Sequence, residues 1–251
     1  MNPLAILGAV AIGLSLGLTG AGGSILTLPV LVYLAGVPPK EAVRLSLFVV
    51  GLAAAAGAVQ RARAGDFHAR AAVMFGLSGM AGAALGARFT AMVPGEVLMG
   101  GFALLMLVVA GRMLAAGKEG AEPSPDCQPG RCLLAGAGTG VLTGFVGVGG
   151  GFLLMPALMR FARLPIRTAT GTSLAVIAVN SAVGWLSHLP SSAGRPALMA
   201  LFGVLAVAGT LLGKRLAAKL PARRLRQGFG AMVLVTGGVV LWRSFVEGVA
   251  P

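Results

Sequence analysis

The sequence predicts an all-α integral membrane protein made of two inverted repeats. Each repeat is a glycine-broken, re-entrant-like helical hairpin followed by three transmembrane helices. Three observations predict this. The chain of 251 residues is 57% hydrophobic and only 11% charged, with a mean hydropathy of +0.90, whereas soluble domains carry about 25% charged residues. One half of the sequence repeats the other at a fixed offset, and the basic residues fall unequally on alternate loops.

The composition narrows the class further. Glycine is abundant, at 40 of 251 residues, as expected where helices pack by close backbone approach in lipid. The formal net charge of +13 would suggest nucleic acid in a soluble protein. Here the basic residues lie between apolar segments with no interleaved aromatics, so they read as positive-inside topology and no nucleic-acid partner is expected. The opening run "MNPLAILGAVAIGLSLGL" has no Lys or Arg before its apolar stretch. It lacks the basic region of a signal peptide and reads as mature structure. Cys127 and Cys132 lie in "DCQPGRC" between the halves, and the only histidines are His68 and His188. A metal site would want more ligands nearby, so the two read as linker cysteines with no assigned role, and no cofactor is expected.

The repeat is exact in its punctuation. An offset of 127 carries Pro29 to Pro156, and Gly17, Gly20, Gly22 and Gly23 to Gly144, Gly147, Gly149 and Gly150. It also carries Pro38 to Pro165, Ser46 to Ser173, Gly82 to Gly209, Gly86 to Gly213, Arg88 to Arg215, Pro94 to Pro221 and Gly111 to Gly238. Apolar similarity alone would not keep Gly, Pro and Arg in register. Residues 1–116 form the first repeat, 117–131 a linker, and 132–251 the second repeat. Four apolar blocks follow in each, over 3–35, 45–60, 71–87 and 96–111, then 133–159, 172–187, 196–213 and 227–242. A helix crosses the hydrocarbon core in about 20 residues. The first block of each repeat is longer than that, and its glycines split it into two short helices.

Charge distinguishes a broken crossing from a returning hairpin. With a single crossing, Lys and Arg divide 12 against 8 between the two sides. With a hairpin that returns to its own side they divide 15 against 5. The second division fits the positive-inside rule better. It gives each repeat an odd number of crossings and so inverts one against the other. The linker is then cytoplasmic and both termini are periplasmic. Inverted repeats with broken helices at matching positions describe many secondary transporters, whose sites lie near the midplane at the repeat interface.

The breaks read "GLTGAGGS" and "GFVGVGGG". The helices that restart there begin near Gly22, Gly23 and Ser24, and near Gly149, Gly150 and Gly151, with Gly20 and Gly147 in the turns. A helix start offers free N–H donors and a partial positive charge. Two starts facing one another would hold a small oxyanion. Single pairs such as Gly82 with Gly86, and Gly209 with Gly213, read as packing instead. No Lys follows the glycines and no strand precedes them, so a nucleotide loop is excluded. Arg44, Ser46, Thr172, Ser173 and Asn180 are polar residues near these breaks and complete the candidate site, with Arg44 an asymmetric contact because Gly171 stands at its repeat position. Thr170 and Ser181 are also polar within this block, where hydroxyls often satisfy their own helix. The seven acidic residues lie in loops or block ends, which disfavours a carboxylate proton relay or cation site.

A "G-x-x-G-x-G-G-x-x-x-x-x-P" segment in each half, the second followed by "A-x-G-T-S" at Ala169, Gly171, Thr172 and Ser173, resembles the TauE/SafE sulfite-exporter-type transporters. The first half reads "RLS" at 44–46 in place of "GTS". The resemblance covers nearly the whole chain. It implies an inner-membrane permease for small sulfur-containing anions such as sulfite or sulfonates. The expected partners are a small anionic substrate and the lipid bilayer, with a homodimer left open. The expected mechanism is alternating access. The rival readings are a non-transporting membrane scaffold and an intramembrane enzyme, and the latter would need a nucleophile–base or metal constellation.

Overall fold

A computed structural model describes residues 3–90, 95–115, 128–146, 151–187 and 196–247. Among these residues the chain is helical and has no strand. The first half holds α1 (Pro3–Thr19), α2 (Gly22–Pro29) continued by a π-helical turn (Val30–Leu34), α3 (Pro39–Ala62), α4 (Ala69–Thr90) and α5 (Gly95–Ala115). The second holds α6 (Pro129–Val146), α7 (Gly151–Phe161), α8 (Ile166–Ser187), α9 (Pro196–Lys219) and α10 (Ala222–Glu247). The starts of α3, α4 and α5 are separated from those of α8, α9 and α10 by the same offset as the sequence repeat.

Proline sets several starts. Pro3, Pro39, Pro129 and Pro196 each open a helix, where a missing N–H costs nothing and the fixed φ is helical. Glu41 adds a favourable charge in the first turn of α3. The helices extend beyond the apolar blocks. Arg44 and Glu41 stand on α3, Arg167 on α8, Lys214, Arg215 and Lys219 on α9, and Arg223, Arg224 and Arg226 on α10, where the sequence reading had loops. Hydropathy marks only the hydrocarbon-facing portion, while long basic side chains continue the helix and reach out to water. Likewise α6 begins at Pro129, inside the segment assigned to the linker.

The first block is a hairpin. A Cβ at Gly8 would lie 2.6 Å from Val30 Cγ1, and one at Gly23 would lie 2.6 Å from the Ile12 carbonyl. Residue numbers thus run in opposite directions along α1 and α2, and the π-helical turn carries the chain back toward the start of α1. By length and hydropathy, Arg44–Ala62, Ala69–Gly86, Ile166–Leu186 and Pro196–Lys219 can each cross a membrane. This is a multi-pass membrane protein.

The most extensive helix pairings all join one half to the other. α1 packs parallel to α9, and the corresponding pair α6 and α4 does the same. Gly13 faces Ala206 and Gly17 faces Thr210, while Gly136 faces Phe75 and Ser78, and Gly140 faces Gly79. At Gly13, Gly17 and Gly140 the space a Cβ would need is filled by the opposing backbone carbonyl. Gly209 and Gly213 press on the α1 backbone and Gly82 on that of α6, as their packing reading predicts. The equivalent helices α3 and α8 run antiparallel, with Gly51 against Ser181 and Gly57 against Leu174. So do α5 and α10, with Gly230 against Leu114 and Gly237 against Met106. Cys132, fully buried at the start of α6, is disulfide-bonded; the other cysteine of the chain, Cys127, lies outside the described residues.

These contacts predict a sharp contrast among glycines. Gly13→Leu or Gly209→Leu should force α1 off α9 and cost about 1–3 kcal/mol or more, the usual cost of overpacking. Thermal unfolding of the detergent-purified protein would record it as a lower midpoint. Gly111→Ala and Gly138→Ala meet open space and should leave the midpoint unchanged or raise it, because alanine is the better helix former by about 1 kcal/mol.

Candidate functional site

The site begins at the hairpin tip. Gly20 ends α1 in the left-handed region with φ +74°, a conformation only glycine adopts without strain. Its amide still donates to Leu16 O at 2.7 Å. The Thr19 hydroxyl then serves both helices. It donates to Ser15 O at 2.7 Å and accepts the Gly22 amide at 3.0 Å. Gly20, Ala21, Gly22 and Gly23 are buried and Ser24 is half-buried, its hydroxyl donating to Ala21 O at 2.8 Å.

This geometry refines the expected cradle. The Gly22 donor is already taken by Thr19, so the open donors at this helix start are the amides of Gly23 and Ser24, which have no carbonyl one turn earlier to receive them. A side chain at Gly22 would collide with Met232 and Ser15, so that glycine is also required for packing.

The starts of α2 and α7 meet. A Cβ at Gly151 would lie 2.9 Å from Ser24 Oγ and 2.9 Å from Ile177 Cδ1. Ser24 and Gly151 are the same position of the repeat, and they touch beside Ile177, the middle of α8. Gly147, Gly149 and Gly150 lie outside the described residues.

The polar residues of α8 hold this arrangement together. Ser173, fully buried, donates to Gly20 O at 3.1 Å and to Thr170 O at 2.9 Å. Thr172 Oγ1, also fully buried, accepts the backbone amide of His68 at 3.1 Å. His68 in turn caps α4, its Nδ1 accepting the Ala71 amide at 3.1 Å. Gly171 leaves room for the Asp66 carbonyl and for Arg61 Cβ. The motif "GTS" is therefore a clamp: Gly171 admits the α3–α4 connection, Thr172 fastens it, and Ser173 fastens the hairpin tip. Arg44 and Ser46 are half-buried on α3. Asn180 lies on α8 one residue before Ser181, with its Oδ1 buried and without a hydrogen-bond partner.

One central residue escaped the sequence reading. Arg61, counted there as a loop charge, is only 3% exposed at the end of α3. Its Nη2 donates to Gly17 O at 2.9 Å, its Nη1 lies 3.7 Å from Asp66 Oδ2, and its Nε is buried without a partner. A signal was present. Val50, Ala53, Ala54 and Gly57 mark the buried face of α3, and helical spacing places Arg61 on that same face.

The fold and these breaks define a class, the multi-pass transporters with discontinuous helices. A family profile described as "Sulfite exporter TauE/SafE" matches residues 5–240, and the chain belongs to this family of membrane transporters. It is 34% identical over 247 residues to a probable membrane transporter protein of Xylella fastidiosa (strain Temecula1), covering 95% of this chain and 94% of the relative. The same identity and coverage hold for a protein of that name in strain 9a5c. The probable membrane transporter protein YdhB of Bacillus subtilis is 28% identical over 193 residues, covering 74% of this chain and 79% of the relative. No solved structure matches the chain.

The clamp yields a test. Gly171→Ala should displace the α3–α4 connection and lower the unfolding midpoint, whereas Thr172→Ser keeps the acceptor for His68 and should unfold near the native midpoint. Thr172→Val removes that acceptor and should cost about 1–3 kcal/mol, the penalty of a buried amide left unpaired.

Proposed function

We propose that the chain is a secondary transporter that moves a small sulfur-containing oxyanion, sulfite or an organosulfonate, across the inner membrane by alternating access. The observation that carries this reading is the meeting of Ser24 and Gly151. Equivalent helix starts, one from each repeat, come into contact here, and in this reading both turn their N–H ends to one point. An anion between them is bound by backbone donors and helix dipoles without a neighbouring cation. The family description supports the sulfur-containing class. The proposed binding residues are Gly20, Gly22, Gly23, Ser24, Gly147, Gly149, Gly150 and Gly151. Ser173 and Thr172 hold the tip in place, and Arg44, Ser46 and Asn180 are further candidate contacts.

In this reading the two repeats lie inverted in the membrane, which the antiparallel pairing of α3 with α8 and of α5 with α10 supports. The basic ends of α3 and α9 then face the cytoplasm with the linker, and both termini face the periplasm. Arg61 closes the cytoplasmic end by tying Gly17 of the hairpin to Asp66 of the α3–α4 connection. Opening toward the cytoplasm breaks these two contacts while the hairpin tip keeps its cap.

Flux is the direct test. Proteoliposomes should move sulfite or a small organosulfonate in a protein-dependent manner, assayed with and without a pH gradient. Absence of flux for every oxyanion in the panel would leave a membrane scaffold as the better reading. Gly151→Ser should reduce flux at least tenfold by placing two hydroxymethyl groups where one fits, and Ser24→Gly combined with Gly151→Ser should restore most of it. A double variant no better than the single would separate the two positions. Orientation has its own measurement. In a background without the native cysteines, Ala64→Cys should react with a membrane-impermeant maleimide only after permeabilisation, and Pro38→Cys should react in intact cells.

A further inference from the structure

We propose that the groove between the basic ends of α3 and α9 binds an anionic phospholipid through a phosphodiester whose headgroup carries a free hydroxyl, as in phosphatidylglycerol. The site is separate from the hairpin tips, and nothing in the proposed transport cycle uses it. It is a groove of about 460 Å³, lined by Ala56, Val59, Gln60, Arg63 and Ala64 on one side and by Leu211 and Lys214 on the other.

Its chemistry is graded along its length. Ala56, Val59 and Leu211 make one end apolar, and Val59 is 52% exposed. Leu212 and Leu216 beside it on α9 are exposed as well. This is a surface that hydrocarbon covers in a membrane. At the other end Arg63 is exposed and Lys214 is half-buried, and the lining contains no carboxylate. Lys214 Nζ donates to the Gln60 carbonyl at 2.6 Å, which holds the ammonium at the groove and leaves donors on it for a phosphate. Asp66, the nearby acid, is engaged by Arg61 on the buried face of α3.

Between the two ends lies Gln60, whose Oε1 is buried without a hydrogen-bond partner. A buried acceptor calls for a donor. A glycerol headgroup supplies hydroxyls next to its phosphodiester. The apolar end takes acyl chain, the cations take the phosphate, and Gln60 takes a headgroup hydroxyl. A soluble oxyanion would leave the apolar end unmatched, which favours a lipid. Basic pockets between transmembrane helices select anionic headgroups in this way.

Native mass spectrometry of the full-length protein in detergent tests it, with phosphatidylglycerol, phosphatidylethanolamine and phosphatidic acid of identical acyl chains, and with inorganic phosphate. Phosphatidylglycerol should be retained over phosphatidylethanolamine by about tenfold, since each basic residue at an anionic lipid surface contributes a several-fold preference. Arg63→Gln with Lys214→Gln should abolish that preference; Gln at 214 can still donate to the Gln60 carbonyl. Arg63→Gln alone, at an exposed position, should weaken it several-fold and covers the case of a misfolded double variant. Gln60→Leu should equalise phosphatidylglycerol and phosphatidic acid while preserving both over phosphatidylethanolamine. Equal retention of phosphatidylethanolamine, or an unchanged preference in the charge variants, overturns the site. Competition by inorganic phosphate as strong as by lipid overturns the lipid and leaves a soluble-anion groove. An unchanged preference over phosphatidic acid in Gln60→Leu overturns the hydroxyl contact.

Discussion

Everything in this structure is arranged around a helix that stops where there is no water. α1 ends at Thr19 and α2 begins at Gly22, and the tip between them is buried. A helix end leaves amides and carbonyls without intrahelical partners, and in an apolar setting each orphan costs about several kcal/mol. Side chains from three elements answer that cost. Thr19 caps the Gly22 amide, Ser173 of α8 donates to Gly20 O, and Arg61 of α3 donates to Gly17 O. Docking on both α3 and α8 therefore stabilises the hairpin. That docking explains Gly171, where any side chain would push the α3–α4 connection away, and Gly57, whose Cβ would lie 2.8 Å from Thr210 Cγ2 and 3.0 Å from Leu174 Cδ1.

Docking of this kind intertwines the halves. α1 finds its closest neighbour in α9, α4 in α6, α3 in α8 and α5 in α10. The repeats are units of sequence, but the packing unit is the pair. Small residues make it possible, because in lipid the gain comes from close contact and not from escaping water. Glycine against backbone carbonyl along α1 and α9, and again along α6 and α4, is the densest form of that contact. In the antiparallel pairs side chains meet, as at Gly184 with Leu47 and Gly230 with Leu114, so these are the pairs that the proposed alternating access would slide.

The parts of this arrangement legible in the sequence are those written in glycine and proline. The repeat offset, the break in the first block and the packing role of Gly209 and Gly213 depend on residues whose backbone properties are local. Less legible were the roles that depend on where a side chain points after folding. Ser173 and Thr172 carry the right chemistry for a ligand site, yet their hydroxyls meet backbone groups of Gly20 and His68, which lie more than a hundred residues away in sequence. Arg61 looked like one more basic loop residue, because hydropathy falls at the end of α3 before the helix does. Only its register with Gly57 and Ala54 marks it as buried. Helix ends were read too short for the same reason, as at Arg44 and Lys214.

The repeat also shows where the two hairpins must differ. Position by position, Val146 stands where Thr19 stands, Leu142 where Ser15 stands and Gly151 where Ser24 stands. The first hairpin closes its own Gly22 amide with a hydroxyl, and valine at the matching place has none to offer. Arg44 replaces Gly171, Leu45 replaces Thr172, and His188 and Ala193 replace Arg61 and Asp66. The clamp of the first hairpin cannot be rebuilt from these residues, since its glycine gap is filled by a guanidinium and its ion pair has lost the acid. If an anion sits between the two starts, the first hairpin offers it the amides of Gly23 and Ser24 from a turn whose Gly22 amide Thr19 already caps.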